Sequence, residues 1–558
     1  MTVRPKSNPH KKEPSYIFVV GGVMSGVGKG VAASSMAYTL QARGLNVTAL
    51  KIDPYINVDA GTMNPTEHGE VFVLKDGLET DQDMGNYERF LNKDLPAMNY
   101  MTTGSVYLSV IEKERNLEYD GKNVEVVPDI PLEVIRRIKE AGRAAQADVV
   151  LTEIGGTVGE YQNVLFLEAV RMMKSELPDR VAVVVVSYLP VPGSIGEMKT
   201  KPTQTAVRML NSAGVFADII IARSPIGVDK KRKDKIARFC NVAVENVISA
   251  PDVESIYDIP INFEKDKLSA RLCELLKLPG KARANLEPWK KFVARSKNGT
   301  DKVSIAVVGK YFDSGEFVLS DVYISILEAI KYSAYAHGLQ AEIQYFSSKA
   351  FEKDPKLFRT LKTQDGVLVP GGFGTTGIDG KLAVIKTARE QGIPYLGICY
   401  GMQLAVIEYA RNVLGFKGAT SAELDQKSDD LVIDVMPEQK EKLAKKDMGG
   451  TMRLGQYPAE LQPGTMLRSI YNTDLVYERH RHRFEVNPEY HQALTSKGLR
   501  FGALSPDHRL VEAMELPVET HPFFVGVQYH PELQARPLAP HPLFSAFVKA
   551  AYSKKTKK

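Results

Sequence analysis

A cysteine set between two glycines, Gly397-Ile-Cys399-Tyr-Gly401, stands where an apolar strand-like run meets an apolar helical pattern. Flanking glycines permit the sharp strand-to-helix turn of a nucleophile elbow, here with sulfur in place of a serine oxygen. Such a turn lifts the side chain out of a sheet, and the N-terminus of the following helix favours the thiolate, the attacking form. An isolated cysteine is more often a buried apolar residue. Two other segments argue for chemistry. Gln528-Tyr-His530-Pro-Glu532 closes a late apolar strand and puts an imidazole two residues from a carboxylate. A cysteine nucleophile needs a base, and the base needs an acceptor to fix its tautomer. Pro370-Gly-Gly-Phe-Gly374 follows another strand, where bare backbone can aim N–H groups at an oxyanion, with Gly372 the expected donor. Cys399, His530 and Glu532 are therefore expected to form a nucleophilic triad.

A second chemistry is written near the start. Gly21-Gly-Val-Met-Ser25-Gly26-Val27-Gly28-Lys29-Gly30 follows the first apolar run and opens a helix. Its glycines let backbone N–H groups approach a phosphate, and Lys29 adds a point charge. The strict phosphate-loop spacing is not met: Gly22 is one residue too far from Gly28, and Gly30 replaces the Ser or Thr that would ligate Mg²⁺. The metal must then find carboxylates, and Asp83 and Glu153 are the candidates. Glu153 closes an apolar strand beside two glycines, where ligands of α/β proteins bind. Lys199-Thr200-Lys201-Pro202-Thr203-Gln204 packs two lysines, two hydroxyls and an amide into one short stretch, suited to a second triphosphate. As a lone feature it would more often be an exposed loop.

These residues must be held by sheets. Strands are expected at 16–20, 46–52, 148–153, 181–187 and 218–221, with helices at 31–43 and 132–144. Several strands are continuous apolar runs, the mark of parallel strands covered on both faces. The pattern breaks at 281–300 around Trp289, then a second α/β series begins at 303–308 and continues at 366–369, 394–398 and 523–529. The expected organisation is a disordered basic extension 1–15, a first doubly wound domain 16–280, a linker 281–300, a second doubly wound domain 301–550 and a basic tail 551–558. The charged stretch 425–446 reads as an exposed excursion.

Composition narrows the class. The chain has 558 residues, too many for one core, and its net charge of +5 is small for that length. Part of that charge sits in solvated ends. The run Arg479-His-Arg-His-Arg483 is too short for the extended positive face that nucleic acid requires. Three cysteines, Cys240, Cys273 and Cys399, cannot build a disulfide framework and suggest a reducing, cytoplasmic setting. Neither a membrane-length apolar run nor a secretory signal is present, so no membrane and no nucleic acid are expected as partners.

With these motifs in view, the C-terminal half resembles the class I, or triad, glutamine amidotransferases. That likeness places glutamine on Gly372, Tyr400, Gly401 and Met402, and on Gln403, Glu423 and Arg483. Arg483 would take the α-carboxylate and Glu423 the α-ammonium. The whole chain resembles the CTP synthases. The residues that carry this are GGVMSGVGKG, LKIDPYINVDAGTMNPTEHGEVFV, ETDQDMGNYERF, EIGGTVGE, KTKPTQ and the amidotransferase set.

The resemblance implies an N-terminal P-loop-like, dethiobiotin-synthetase-like amidoligase domain ahead of the glutamine amidotransferase. It implies phosphorylation of UTP on O4 by ATP, then displacement of the phosphate by ammonia from glutamine. Lys29 would sit on the ATP phosphates, Lys51 by the transferred group, and Asp83 and Glu153 on Mg²⁺. ATP would also use Ser25–Gly30, Arg223, Asp252 and Val253. UTP, or CTP as inhibitor, would use Ser25, Glu160 and Gln162, the segment 199–204, and Lys235. His68 would gate ammonia, and GTP would activate near Phe373. A nucleotide-promoted homotetramer is implied, with filaments left open. Where the family commonly has Gly-Asp-Ile-Glu, this chain has Gly159-Glu160-Tyr161-Gln162, and Thr376 stands where an Arg is frequent. Losing that guanidinium would weaken or relocate GTP activation. Two rival readings are opposed by particular residues. Intact Cys399, His530, Lys29 and Glu153 argue against a nucleotide-binding relative without turnover. The segment 199–204 and the domain order argue against another amidotransferase-coupled synthetase, such as a cobyrinate amidase.

Overall fold

The continuous apolar runs do form parallel strands. A computed structural model describes residues 13–193, 196–310, 312, 320–435 and 452–556. Expectations for 1–12, 436–446, Lys557 and Lys558 lie outside the described residues. By compactness the chain divides into two units. One holds residues up to Asp59 and Asn86–Lys290, and the other holds Ala60–Gly85 and Lys291–Lys558.

The first unit is built on a seven-stranded sheet, in the order Tyr100–Thr102, Val47–Asp53, Val149–Ile154, Ser15–Gly22, Val181–Tyr188, Ile219–Ser224, Val247–Pro251. Every neighbouring pair is parallel. Strand Ser15–Gly22 is buried along its whole length, as a strand covered on both faces must be. It lies between Val149–Ile154 and Val181–Tyr188, so the chain winds out to both sides from it. The carboxyl end of this strand is the switch point at which doubly wound sheets bind ligands. The helix Lys29–Gln41 follows there.

The second unit has a nine-stranded sheet. Its parallel part runs Leu339–Ser347, Asp301–Gly309, Gly366–Val369, Tyr395–Ile398, Phe524–Val527. An antiparallel part continues it with Val511–Glu515, Arg500–Leu504, Arg453–Leu461 and Leu475–His482. Two α/β sheets with parallel cores match the expected fold class. The antiparallel extension was visible in the sequence only as strand-rich character.

Three expected boundaries are corrected and one is kept. Ser15 is not in a disordered extension, because it begins the first strand and pairs with Val149. The stretch Ala60–Gly85 leaves the first domain and packs into the second unit. There Arg481 Nε meets Glu79 Oε1 at 2.7 Å, Arg479 Nη1 donates to the Val73 carbonyl at 3.0 Å, and the Ser325 N–H donates to Glu70 Oε1 at 3.2 Å. The division between the two units falls after Lys290, inside the expected linker 281–300, which carries the helix Glu287–Asn298. The basic tail is also helical, because Pro542–Thr556 runs through it and Lys554 Nζ donates to the Gln364 carbonyl at 2.8 Å. Within the charged excursion, Leu431–Val435 is a strand that pairs with Phe484–Val486.

Trp289 is the anchor of this stretch. Its ring is fully buried, 4.4 Å from Tyr38 and 4.9 Å from Phe90 between centroids, and its Nε1 donates to the Tyr257 carbonyl at 2.8 Å. One large buried aromatic outweighs a polar neighbourhood. Trp289→Ala should lower the unfolding free energy by about 3–5 kcal/mol. Urea denaturation followed by circular dichroism reads this, since the change removes the chain's single tryptophan. A loss below about 1 kcal/mol would show that Trp289 is not the anchor described.

Candidate active sites

In the second unit, strand Tyr395–Ile398 ends at Cys399, which has φ 50 and ψ −102, and helix Tyr400–Tyr409 starts at once. A positive φ in a residue with a side chain costs on the order of 1–3 kcal/mol, and such strain gathers at functional sites. The turn depends on Gly401, where a Cβ would come within 2.1 Å of the Val369 carbonyl oxygen on the adjacent strand. Around the sulfur lie the Arg481 carbonyl and Gln528 Nε2, each at 3.7 Å.

The base arrives from the neighbouring strand. Phe524–Val527 leads to His530, whose Nδ1 is 2.7 Å from Glu532 Oε1. A carboxylate can only accept, so Nδ1 carries the proton and Nε2 is the working nitrogen. Gly371 lets the two groups meet, because a Cβ there would stand 3.0 Å from His530 Cε1 and 3.6 Å from Cys399 Cβ. Burial pulls the His530 pKa down, but the charges of Glu532 and Cys399 outweigh it and push it up to about 10. Nε2 is buried without a hydrogen-bond partner among the described residues.

Both groups open on a cavity of about 320 Å³, within the usual range for small-ligand sites. Glu423, Arg483, Gly372 and Phe373 line it, together with Gly61, Met63 and Glu70 from the stretch Ala60–Gly85. Glu423 accepts from the Gly374 N–H at 2.6 Å. Burial raises the Glu423 pKa, while that N–H, Lys310, Arg483 and Lys381 oppose the rise. Opposite charges at one end and a nucleophile at the other suit an amino acid with a reactive side-chain amide. Tyr400, Gly401, Met402 and Gln403, expected to touch glutamine, are not among the lining residues. They start a helix whose side chains are buried, and Gln403 Nε2 is spent on the Phe484 carbonyl at 2.9 Å and Gln528 Oε1 at 3.2 Å.

The first unit assembles a different site. Gly28 caps the helix Lys29–Gln41 with φ 86, and Lys29 Nζ donates to the Gly156 carbonyl at 2.7 Å. Ser25 and Gly26 are exposed on the loop. Arg223 donates to the Val27 carbonyl at 3.3 Å and makes a close ion pair with Asp252. Gly28, Arg223, Asp252 and Val253 line one cavity of about 370 Å³, walled by Val31 and Phe263. Four residues of the expected ATP set thus share one cavity.

Lys51 is buried, with Nζ 3.2 Å from Glu153 Oε1 and 3.6 Å from Asp53 Oδ1. The Tyr87 hydroxyl donates to Glu153 Oε2. Carboxylate oxygens have lone pairs to spare beyond these contacts. Glu153 therefore fits a Mg²⁺ ion that takes one or two carboxylates and otherwise phosphate oxygens and water. Among the described residues, no cluster of three or more His, Cys, Asp or Glu side chains forms an all-protein cage. Asp83 stands in the first turn of the helix Gln82–Leu91, on the side of the division that packs with the second unit.

The expected UTP set is only partly presented. Glu160 accepts from Thr157 at 2.5 Å and from Gln162 at 2.8 Å. Lys199 pairs with Glu197 at 2.7 Å, and that contact, with Arg232 and Lys235 behind it, holds the Glu197 carboxyl below its ordinary range. Lys201 and Lys235 are exposed and Pro202 is half-buried. Thr200 and Thr203 are buried instead: Thr200 Oγ1 accepts from Gln204 at 3.0 Å, and Thr203 Oγ1 lies 2.8 Å from the Ser187 hydroxyl. The helix Lys201–Ser212 begins at that point, and its periodicity turns Thr203 toward the sheet. His68 is exposed at the end of the helix Pro65–His68.

Comparison with known proteins agrees with this geometry. A family model for the CTP synthase N-terminus matches residues 15–278, and one for class-I glutamine amidotransferases matches 318–550. A CTP synthase from Caldanaerobacter subterraneus is 48% identical over 96% of this chain and 98% of its own. The chain belongs to the CTP synthase family. A CTP synthase from Methanococcus aeolicus is 46% identical over 97% of this chain and 100% of its own. Among solved structures, the glutaminase domain of Trypanosoma brucei CTPS with bound acivicin aligns with 45% of this chain and 94% of its own, at 36% identity and a TM-score of 0.41.

Several residues of this CTP synthase-family chain escaped the motifs. Lys381 is fully buried, with Nζ 5.2 Å from the Tyr400 ring centroid and no hydrogen-bond partner among the described residues. Arg481 stacks 5.2 Å over the Phe373 ring, Lys310 and Gln528 act on Glu423 and Cys399, and in the first unit Asp53 and Tyr87 meet Lys51 and Glu153. A signal for Lys381 existed: Ile378, Lys381, Leu382 and Ile385 share one helix face, so a cation was written into an apolar stripe.

Burial, with Lys310 adding to it, pulls the Lys381 pKa down to about 7, against the pull of Glu423 and Cys399. The unfolded chain holds that proton up to the ordinary lysine range. Between these limits the unfolded state binds more protons, so the penalty for burying Lys381 is fully present below pH 7 and fades as pH rises. Lys381→Met should therefore stabilise the protein, more at pH 6.5 than at pH 9.5, in urea denaturation. A pH-independent change would overturn this account of Lys381.

Proposed function

We propose that this chain performs the ATP-dependent amination of UTP to CTP, with ammonia taken from glutamine. The reading is carried by one observation: Cys399, the His530–Glu532 pair and the opposite charges of Glu423 and Arg483 converge on a single cavity. A nucleophile, a base with a fixed tautomer and an amino-acid clamp are what a glutaminase needs. Cys399 Sγ attacks the carboxamide carbon of glutamine. Backbone N–H groups at Gly372 meet the oxyanion. His530 passes a proton to the leaving nitrogen, ammonia departs, and water cleaves the thioester to glutamate.

The ammonia is consumed in the N-terminal unit. ATP lies along Ser25–Gly30 with Arg223, Asp252 and Val253, and Lys29 and Lys51 offset phosphate charge as the phosphoryl group moves to O4 of UTP. Mg²⁺ held by Glu153 would offset the charge of the triphosphate. Ammonia then adds at C4 and phosphate leaves. UTP uses the Lys199–Gln204 segment and Lys235, and CTP competes there with Glu160 and Gln162 as further contacts. His68 gates ammonia, GTP activates beside Phe373, and a cytoplasmic homotetramer is the working form.

Purified protein given UTP, ATP, Mg²⁺ and glutamine should form CTP. Cys399→Ala should lower glutamine-dependent synthesis by about a thousandfold or more while ammonium salts still support it. Absence of CTP from the unaltered protein would overturn the proposed reaction. Loss of both activities in Cys399→Ala would overturn the division of labour between the two units.

A further inference from the structure

Behind the sulfur of Cys399 lies a buried chain of amides whose direction can be worked out. Phe484 contributes a carbonyl, which can only accept. The Gln403 atom 2.9 Å from it is therefore the amide nitrogen. That nitrogen has a second hydrogen, directed at Gln528 Oε1 at 3.2 Å. With its oxygen so committed, Gln528 turns its own nitrogen toward Cys399 Sγ at 3.7 Å, an ordinary distance for a hydrogen bond to sulfur. Gln403 and Gln528 are 2% and 0% exposed, so water does not compete for these groups.

The far end of the chain is anchored too. His482 Nδ1 lies 3.2 Å from the same Phe484 carbonyl and must donate to it. In the neutral ring its Nε2 then accepts from His480 Nδ1 at 2.9 Å. Burial pulls both imidazoles well below their usual range, which favours these neutral forms. Beyond them, His480 Nε2 faces Glu512 at 3.4 Å, and Arg453 holds Glu512 at 2.8 Å.

Besides the His530 ring, the sulfur's close polar neighbour is the Arg481 carbonyl, an acceptor that suits S–H and repels a thiolate. A side-chain N–H does the reverse, and a hydrogen bond to an ionised partner is stronger than one between neutral groups.

We propose that Gln528 stabilises the ionised form of Cys399 through an N–H···S hydrogen bond, and that Gln403 is the positioning residue that fixes the Gln528 amide in that orientation. The proposal rests on Cys399 being the glutaminase nucleophile and names what holds it ready. It also explains why Gln403 is spent inside the protein rather than on the cavity.

The test is iodoacetamide labelling of the full-length protein without glutamine, followed across pH by mass spectrometry of the Cys399 peptide. Gln528→Glu puts an acceptor where the donor stood, and Gln528→Met removes the donor. In both, the pH of half-maximal labelling should rise by about one to two units. The kcat for glutamine hydrolysis at neutral pH should fall about tenfold or more, with KM for glutamine changed less than about threefold. Gln403→Met leaves Gln528 in place but unclamped, and should shift labelling in the same direction by less. His530 and Lys381, and Glu423 and Arg483 on the cavity wall, stay in place in every variant.

Circular dichroism checks that each variant is folded, and should the Gln528 variants fail to fold, Gln403→Met decides. An unchanged labelling profile would overturn the proposal even if activity fell, since that combination marks a merely structural role. Labelling needs no turnover, so a shifted profile in a chain whose Cys399→Ala variant still uses glutamine would separate failure of the functional reading from failure of this one.

Discussion

A strand can hand a reactive side chain to a cleft only if the backbone reverses before it re-enters the core. At Cys399 that reversal is held at φ 50, between a strand ending at Ile398 and a helix starting at Tyr400. The rest of the C-terminal unit is arranged to tolerate it. Gly401 lets the helix begin against the Val369 carbonyl, and Gly371 lets the His530 ring approach the sulfur. The strand Phe524–Val527 lies beside Tyr395–Ile398 in register, which delivers His530 and Glu532 to the same end of the sheet. The strain is local, while the packing that maintains it is spread over several strands.

Buried charge is the second constraint, and the two units meet it differently. In the first, Lys51 is matched by Glu153 and Asp53, and Tyr87 supplies a further donor to Glu153. Such a cluster keeps a cation ready without leaving it unpaired in a low-dielectric setting. In the second, Lys381 has the Tyr400 ring beside it and no hydrogen-bond partner among the described residues, and burial loosens its proton. Arg453, Glu485 and Glu512 form a third buried cluster behind the strand Leu475–His482.

Much of this was legible from residue types and spacing. The all-apolar strands announced parallel sheets, and Cys399, His530 and Glu532 declared their roles through glycines, order and strand ends. Lys29 and Glu153 were likewise marked by their places after strands. The expected glutamine contacts were less secure. Glu423 and Arg483 do reach the cavity, but Gln403 turned inward, because its helix face and the obligate acceptor at Phe484 decide its direction. Thr203 failed for a similar reason, as helical periodicity turned it from ligand toward sheet.

Sequence alone thus marked the two candidate sites and the two sheets, since glycines, apolar runs and charged residues at strand ends act over a few neighbouring positions. Only tertiary structure decided which distant groups meet. That the stretch Ala60–Gly85 packs with the C-terminal unit depends on Arg479, Arg481 and Ser325, hundreds of residues along the chain. The burial of Trp289 depends on Tyr38, Phe90 and Tyr257. The orientation of Gln528 depends on a carbonyl at Phe484 that no side-chain pattern reveals. Hydrogen-bond direction and burial belong to the folded surroundings, and a linear pattern carries no record of them.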